Sequence, residues 1–119
     1  MSLRVTEVVI DCADHGTVVD FWAAALGYTR HAVNEQYVAL VPDGEPATGR
    51  PPILFQKVPE PKIAKNRVHL DFRADVRADE VVRLVALGAT VLAEHTLDDF
   101  GWTVMADPAG NEFCVSGDA

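Results

Sequence analysis

The sequence has few of the features that would assign it to a disulfide-rich or membrane class. Its 119 residues include only two cysteines, Cys12 and Cys114, both in apolar, strand-like stretches. A small secreted protein held together by disulfides usually carries more, so we predict reduced thiols. No apolar run approaches the roughly 20 residues that a transmembrane helix needs. The stretch MSLRVTEVV lacks the layout of a signal peptide, and we therefore expect a cytoplasmic protein with no membrane partner.

Positive charge and several catalytic motifs are also scarce. Ten lysines and arginines stand against eighteen aspartates and glutamates, which gives a formal net charge of −8. That balance argues against nucleic acid or an anionic membrane as a partner. The sequence contains no phosphate-binding glycine loop, no nucleophile elbow and no Cys-x-x-Cys pair. The composition fits a soluble enzyme or a binding protein and indicates nothing more specific.

The strongest positive signal is an internal repeat. The pentapeptides ALGYT and ALGAT occur in the two halves of the chain. Each follows an alternating strand pattern and then a helix pattern with one apolar face. Each helix pattern ends at a glycine, Gly27 or Gly88, a residue that readily takes the left-handed conformation found after helices. The spacing predicts helices near 15–27 and 77–88.

Each half also carries four strand candidates. In order along the chain they are 7–12, 28–31, 37–41 and 53–58, then 68–73, 90–94, 102–106 and 112–116. Between the last two, Asp107-Pro108-Ala109-Gly110 has Asp, Pro and Gly at the positions that a type I turn favours. The halves therefore predict two βαβββ modules.

The two modules are expected to share one α+β domain covering residues 1–119. Module one spans about 3–58, a linker spans 59–66, and module two spans about 67–117. One helix on four strands buries too little apolar surface to be stable alone, so neither module is expected to fold independently.

The order of these motifs resembles the vicinal oxygen chelate superfamily, the glyoxalase I, bleomycin-resistance and extradiol-dioxygenase group. VVIDCADHGTVVDFWAAALGY resembles the opening strand, helix and glycine stop of that family, while FQKVPEPKIAKNRVHLDF and GWTVMADPAGNEFCV resemble its glyoxalase-like domains. The resemblance covers nearly the whole chain. It implies a curled, cup-shaped mixed sheet with helices on the convex side. It also implies a pocket between the modules, where some members hold a divalent metal ion as a Lewis acid.

Four residues match the positions of metal ligands in the resemblance. Glu7 and His69 match the two histidine positions, and Gln56 and Cys114 match the two glutamate positions. Strand alternation turns Glu7, His69, Asp71 and Cys114 away from the helices. For Gln56, the resemblance to the family implies the same orientation. A carboxylate and an amide suit hard ions whereas a thiolate suits Zn²⁺, so the set is chemically mixed. We expect the four to point into one cavity, with a divalent metal ion as a candidate cofactor.

The candidate roles follow from this placement. Glu7 and His69 are candidate catalytic residues, and Gln56, Trp102 and Cys114 are candidate substrate-binding residues. Trp102 follows a glycine in the loop-rich stretch DDFGW and could form a wall of the pocket. Structural interpretations stay open, since His69 could be a hydrogen-bonded strand histidine, Cys114 a small apolar residue, and Glu7 a solvated edge residue.

Three functions fit this reading. The first is a glyoxalase-like enzyme, a metal-assisted lyase, isomerase or dioxygenase. The alternative is a metal-free small-molecule binding or sequestering protein of the bleomycin-resistance type, which the missing glutamate ligands favour. A degenerate pocket that serves mainly as a dimer module is the third. The expected partners are a small organic molecule and a second copy of the chain, because small domains leave sheet edges that need covering.

Overall fold

The computed structural model describes residues 2–44 and 49–118. The chain divides into two compact units, Met1–Pro61 and Lys62–Ala119, with the boundary inside the 59–66 stretch. Each unit runs strand, helix and then three strands, so the predicted α+β class with two βαβββ modules is confirmed. That the two modules form one domain stays a prediction. Within the described residues, no helix is long and apolar enough to cross a membrane.

The first unit is a four-stranded mixed sheet with one helix. Its elements are β1 (Val8–Cys12), α1 (Gly16–Leu26), β2 (Thr29–Ala32), β3 (Tyr37–Val41) and β4 (Ile53–Lys57). The strand order is β1-β4-β3-β2, with β1 parallel to β4 and the other pairs antiparallel. The helix α1 ends at Gly27, whose φ of 69° is left-handed, as the repeat predicts.

One face of this sheet and α1 form the core of the first unit. Leu40 of β3 and Phe55 of β4 are fully buried. Arg30, the cross-strand partner of Leu40, donates to Asp20 of α1 at 3.2 Å, so this face is the one next to the helix. The same alternation turns Gln56 to the other face.

The second unit repeats the arrangement. Its elements are β5 (Leu70–Arg73), α2 (Arg77–Leu87), β6 (Thr90–Leu97), β7 (Phe100–Ala106) and β8 (Glu112–Asp118). The strand order is β5-β8-β7-β6, with β5 parallel to β8. Between β7 and β8, the Gly110 N–H donates to the Asp107 carbonyl oxygen at 2.9 Å. Asp107 Oδ1 accepts from the backbone N–H groups of Ala109 and Asn111, so the predicted tight turn is confirmed.

The hairpin β6–β7 extends further than the sequence predicted. Its strands run to Leu97 and from Phe100, so only Asp98 and Asp99 form the connection, and Trp102 lies in a strand. Trp102 thus lies in a strand, as the candidate 102–106 predicted, but the strand begins two residues earlier, inside the stretch described as loop-rich. Asp98 adopts a φ of 56°, which aspartate tolerates better than most residues, and this allows the two-residue turn.

The two faces of the second sheet have different surroundings. Thr103 and Gly117 lie on the helix side, since Arg77 of α2 donates to Thr103 Oγ1 at 2.7 Å and a Cβ on Gly117 would lie 3.2 Å from Arg77 Cβ. The opposite face is called the helix-free face below. By register and alternation it carries His69, Asp71, Arg73, Phe100, Trp102, Val104, Glu112, Cys114 and Ser116.

Candidate functional site

Three potential metal ligands lie together on the helix-free face. His69, Asp71 and Cys114 each offer one ligand atom, and these atoms all lie within 4.8 Å of one another. The parallel register of β5 and β8 pairs Asp71 with Cys114, and His69 stands one residue before β5 on the same face as Asp71. His69 Nε2 lies 3.2 Å from Asp71 Oδ1. We call these three residues the His–Asp–Cys cluster.

Cys114 is the buried member of the cluster. Burial raises the pKa of its thiol, and the charge of Asp71 and a hydrogen bond to that carboxylate raise the pKa further, against the opposing charge of Lys65. The thiol is therefore protonated at neutral pH and donates to Asp71. A protonated thiol is a poor nucleophile and also a poor metal ligand, so either role requires that Cys114 first lose its proton.

Glu112 fixes the segment that leads to His69. Its carboxylate lies 3.1 Å from Lys62 Nζ and accepts from the Asn66 backbone N–H at 3.3 Å. Burial alone would raise the pKa of this carboxyl. The Lys62 hydrogen bond, two backbone N–H groups and the Lys62 charge outweigh burial and lower the pKa below its ordinary value. The link ties residues 62–66 to β8 beside the cluster.

This lowered pKa gives a pH-dependent prediction for Glu112→Gln. A group whose pKa is lower in the folded state stabilises the protein above its unfolded pKa, about 4.3 for glutamate, and loses that effect as the pH falls through the folded value. We expect a loss of about 1 kcal/mol in the free energy of unfolding at pH 7, because charge-assisted hydrogen bonds disappear. Near pH 3 the difference from the unmutated protein should shrink.

Urea denaturation at both pH values checks this prediction. Glu60→Gln is the matched control, because Glu60 is exposed in the inter-module stretch and should show little change at either pH. An equal loss for Glu112→Gln at pH 7 and pH 3 would contradict the electrostatic account.

The first unit places the other two predicted ligands apart. Glu7 is exposed one residue before β1, and Gln56 is half-buried in β4, opposite Asp11. Glu7 and Asp11 are four residues apart along the extended strand, so Glu7 and Gln56 are separated by about 13 Å in the strand direction. That all four predicted residues share a cavity stays a prediction.

The register also identifies a different counterpart of Cys114. In the second unit, Asp71 lies two residues after His69 and pairs with Cys114. In the first unit, Glu7 corresponds to His69, and Val9 lies two residues after Glu7 and pairs with Leu54. Leu54 is therefore the counterpart of Cys114. A leucine side chain has no ligand atom. At these two corresponding positions, the first unit therefore offers only the Glu7 carboxylate.

Trp102 belongs to a row of stacked side chains on the helix-free face. The His95 and Trp102 rings lie 5.1 Å apart at 23°, and the Phe100 and Trp102 centroids lie 6.2 Å apart. Arg73 Cζ sits 5.5 Å from the Phe100 centroid. We call these four residues the aromatic row. Its register follows from the pairing of Trp102 with His95 on one side and Ser116 on the other.

Sequence reasoning gave no role to two residues of this face. Asp71 was expected to point away from the helix but was not assigned as a ligand, and Arg73 was not considered. The signal for both was the alternation itself, because residues 69, 71 and 73 share one side of an extended strand. Their partners across the sheet depend on the register with β8 and β7, which the local sequence does not reveal.

Comparisons with known proteins agree with this architecture. A family model described as a glyoxalase-like domain matches residues 7–116. A glyoxalase/bleomycin resistance protein/dioxygenase family enzyme from Burkholderia phytofirmans PsJN is similar in structure, with a TM-score of 0.74, 18% identity and coverage of 96% of this chain and 98% of that chain. A lactoylglutathione lyase from Agrobacterium tumefaciens gives a TM-score of 0.66, 20% identity and coverage of 98% and 94%.

A third structure extends the comparison. A glyoxalase/bleomycin resistance protein/dioxygenase from Nocardioides gives a TM-score of 0.71 at 12% identity, covering 98% of this chain and 83% of that chain. At such identities the likeness shows the fold alone. A comparison with curated protein sequences finds no match.

Proposed function

The chain belongs to the glyoxalase-like domain family of the vicinal oxygen chelate superfamily, and from that membership we propose a metal-assisted lyase, isomerase or dioxygenase that acts on a small organic molecule. The observation that supports the proposal is the His–Asp–Cys cluster, whose ligand atoms lie within 4.8 Å of one another. The fold itself hosts several chemistries, so the argument depends on these residues.

The donor set of the cluster fits a divalent transition metal. Catalytic zinc sites commonly use three protein ligands and keep one position open for water or substrate. An imidazole, a thiolate and a carboxylate favour Zn²⁺ over Mg²⁺, which prefers oxygen ligands alone. A bound metal would supply Lewis-acid polarisation of a substrate oxygen. His69, Asp71 and Cys114 would hold it.

The residues of the cluster contribute orientation and proton storage. Asp71 lies against His69 Nε2 and accepts from the Cys114 thiol, so one carboxylate arranges both neighbours. The Cys114 thiol must lose its proton before its sulfur can act as a strong ligand. We propose that Glu7 serves as an acid or base and that Gln56 orients the substrate.

Metal titration of the tag-free protein tests the proposal. After treatment with a chelator, the protein should bind about one Zn²⁺ per chain in a calorimetric titration. His69→Ala and Cys114→Ala should each weaken binding by at least about 100-fold, because each removes one of three ligands. His31→Ala and Cys12→Ala are matched controls, since both lie in the first unit, outside the cluster. Absence of zinc binding by the unmutated protein would favour the metal-free binding alternative.

The stability of His69→Ala separates a functional histidine from a structural one. The His69 side chain is 39% exposed and does not belong to the apolar core of the described residues, so its removal should change the free energy of unfolding by less than about 0.5 kcal/mol. A structural role would instead cost roughly 1–3 kcal/mol by leaving buried polar partners unpaired. Urea denaturation of the metal-free variant gives the answer. A clear stability loss with unchanged zinc binding would contradict the ligand role.

We also propose a cytoplasmic homodimer. All four residues of β2 are exposed, and in the described residues β2 is an edge strand of the first sheet, the kind of edge that association can cover. Light scattering at micromolar concentration should give twice the mass of the chain. A monomeric mass would contradict the dimer without bearing on the metal site.

A further inference from the structure

The aromatic row contains an arginine, Arg73, whose guanidinium has no hydrogen-bond or ion-pair partner among the described residues. Across residues 2–44 and 49–118, no carboxylate forms an ion pair or hydrogen bond with Arg73. The nearest acidic neighbour on its own strand, Asp71, has its carboxylate against His69. By contrast, Arg30 and Arg77 each have a carboxylate partner. Among the described residues Arg4, Arg50 and Arg67 also have no carboxylate partner, so what distinguishes Arg73 is its position beside Phe100 and Trp102 on the helix-free face.

The stacking of Arg73 leaves its hydrogen-bonding edge available. The guanidinium carbon lies 5.5 Å from the Phe100 ring centroid, a distance typical of a cation–π contact. The five N–H donors of the guanidinium lie in one plane as a rigid fork, and the described residues provide them with no hydrogen-bond acceptor. A planar fork held in this way matches the two oxygens of a carboxylate.

The rings beside Arg73 provide an apolar surface. Phe100 remains 37% exposed although it is apolar, and Trp102 is half-buried beside it. Aromatic rings favour offset or edge contacts with a further ring at centroid distances of about 4.5–7 Å. The row therefore combines an apolar surface of two rings, tilted by 35° to each other, with one cation at its end.

The aromatic row adjoins the His–Asp–Cys cluster. Arg73 follows Asp71 by two residues on β5, which places the two about 7 Å apart along the strand. Ser116 follows Cys114 by two residues on β8, and Trp102 pairs with Ser116. A ligand on the row would therefore extend toward the cluster along the same face of the sheet.

We propose that the helix-free face recognises a planar organic anion, an aromatic or conjugated carboxylate. Its carboxylate binds the N–H edge of Arg73, and its ring packs against Phe100 and Trp102. The remainder of the molecule lies toward the His–Asp–Cys cluster. That this anion is the substrate rests on the proposed function. Its binding to the helix-free face needs no metal.

Binding of 2-naphthoate to chelator-treated, full-length protein tests the assignment. Calorimetry should show saturable binding to the unmutated protein. Arg73→Gln should weaken it by about 10- to 100-fold, because a charge-assisted pair is lost. Arg73→Lys should weaken naphthoate binding less, since lysine keeps the charge but not the planar fork of donors. Trp102→Ala should weaken binding as a second, independent variant.

Matched controls separate recognition from general charge effects. Arg50→Gln removes the same charge from a guanidinium that lies 5.5 Å from the Tyr28 centroid in the first unit, and it should leave naphthoate binding unchanged. The uncharged 2-naphthalenemethanol should bind the unmutated protein and Arg73→Gln equally weakly. No saturable naphthoate binding, or equal losses in Arg73→Gln and Arg50→Gln, would overturn the assignment.

The outcomes for the anion and for the metal can be told apart. If zinc does not bind but naphthoate binding depends on Arg73, the metal-assisted enzyme fails and the anion site stands. If zinc binds through His69 and Cys114 but naphthoate does not bind, the metal site stands and the anion site fails.

Discussion

Phe55→Ala should lower the free energy of unfolding by about 3–5 kcal/mol, as expected when a fully buried aromatic side chain is removed. Phe55 is 0% exposed and lies on β4, a central strand flanked by β1 and β3. Truncation removes a large ring from water-excluded packing and leaves a cavity that the hydrogen-bonded strands on both sides cannot close. The loss therefore combines a transfer contribution and a cavity contribution.

Urea denaturation followed by circular dichroism measures this loss. Phe100→Ala is the matched control, since Phe100 is 37% exposed at the start of β7 and should cost about 1 kcal/mol or less. The His15 ring contacts the backbone carbonyl oxygen of Phe55, not its side chain, so that contact remains in the variant. Similar losses for the two variants would contradict a core that depends on β4.

Arg77→Ala should cost about 2–3 kcal/mol, because one guanidinium joins four elements of the second unit. Its Nη1 donates at 2.7 Å both to Glu94 Oε2 on β6 and to Thr103 Oγ1 on β7, and its Nε donates to the Asp118 carbonyl oxygen on β8 at 2.9 Å. The Arg77 side chain is only 13% exposed. Removing it leaves Glu94 and the Asp118 carbonyl oxygen without these bonds at the start of α2.

Arg83→Ala provides the control for Arg77 within the same helix. Arg83 is 44% exposed and pairs with Glu80 three residues earlier, an arrangement that contributes about 0.5 kcal/mol or less. Thermal unfolding of both variants should show a much larger drop in melting temperature for Arg77→Ala. Thr103→Val adds a check. It removes one hydrogen-bond acceptor of Arg77, so its melting temperature should fall less than that of Arg77→Ala. Equal effects of the two arginine variants would argue against a stabilising role for the hydrogen bonds of Arg77.

The candidate site was predicted in part. Alternation placed His69 and Asp71 on the helix-free face, and a glycine-anchored turn set the position of Cys114 along the last strand. The sequence did not reveal that Asp71 would lie opposite Cys114, because a pairing register is decided between strands more than 40 residues apart. The register of β1 with β4 was equally hidden from the sequence. It makes Leu54, and not Gln56, the counterpart of Cys114 in the first unit.

The sequence by itself determined the elements and their order in each unit. Periods of 2 and 3.6 residues, together with Gly27 and Gly88, are local properties, because backbone sterics and one buried face fix them without reference to distant residues. The tertiary structure alone decided which side chains meet across the sheet. The His–Asp–Cys cluster and the stacking of Arg73 on Phe100 both depend on strand register. Register is set by the collective packing of each sheet against its helix, and a shift of one residue would turn these side chains to the other face.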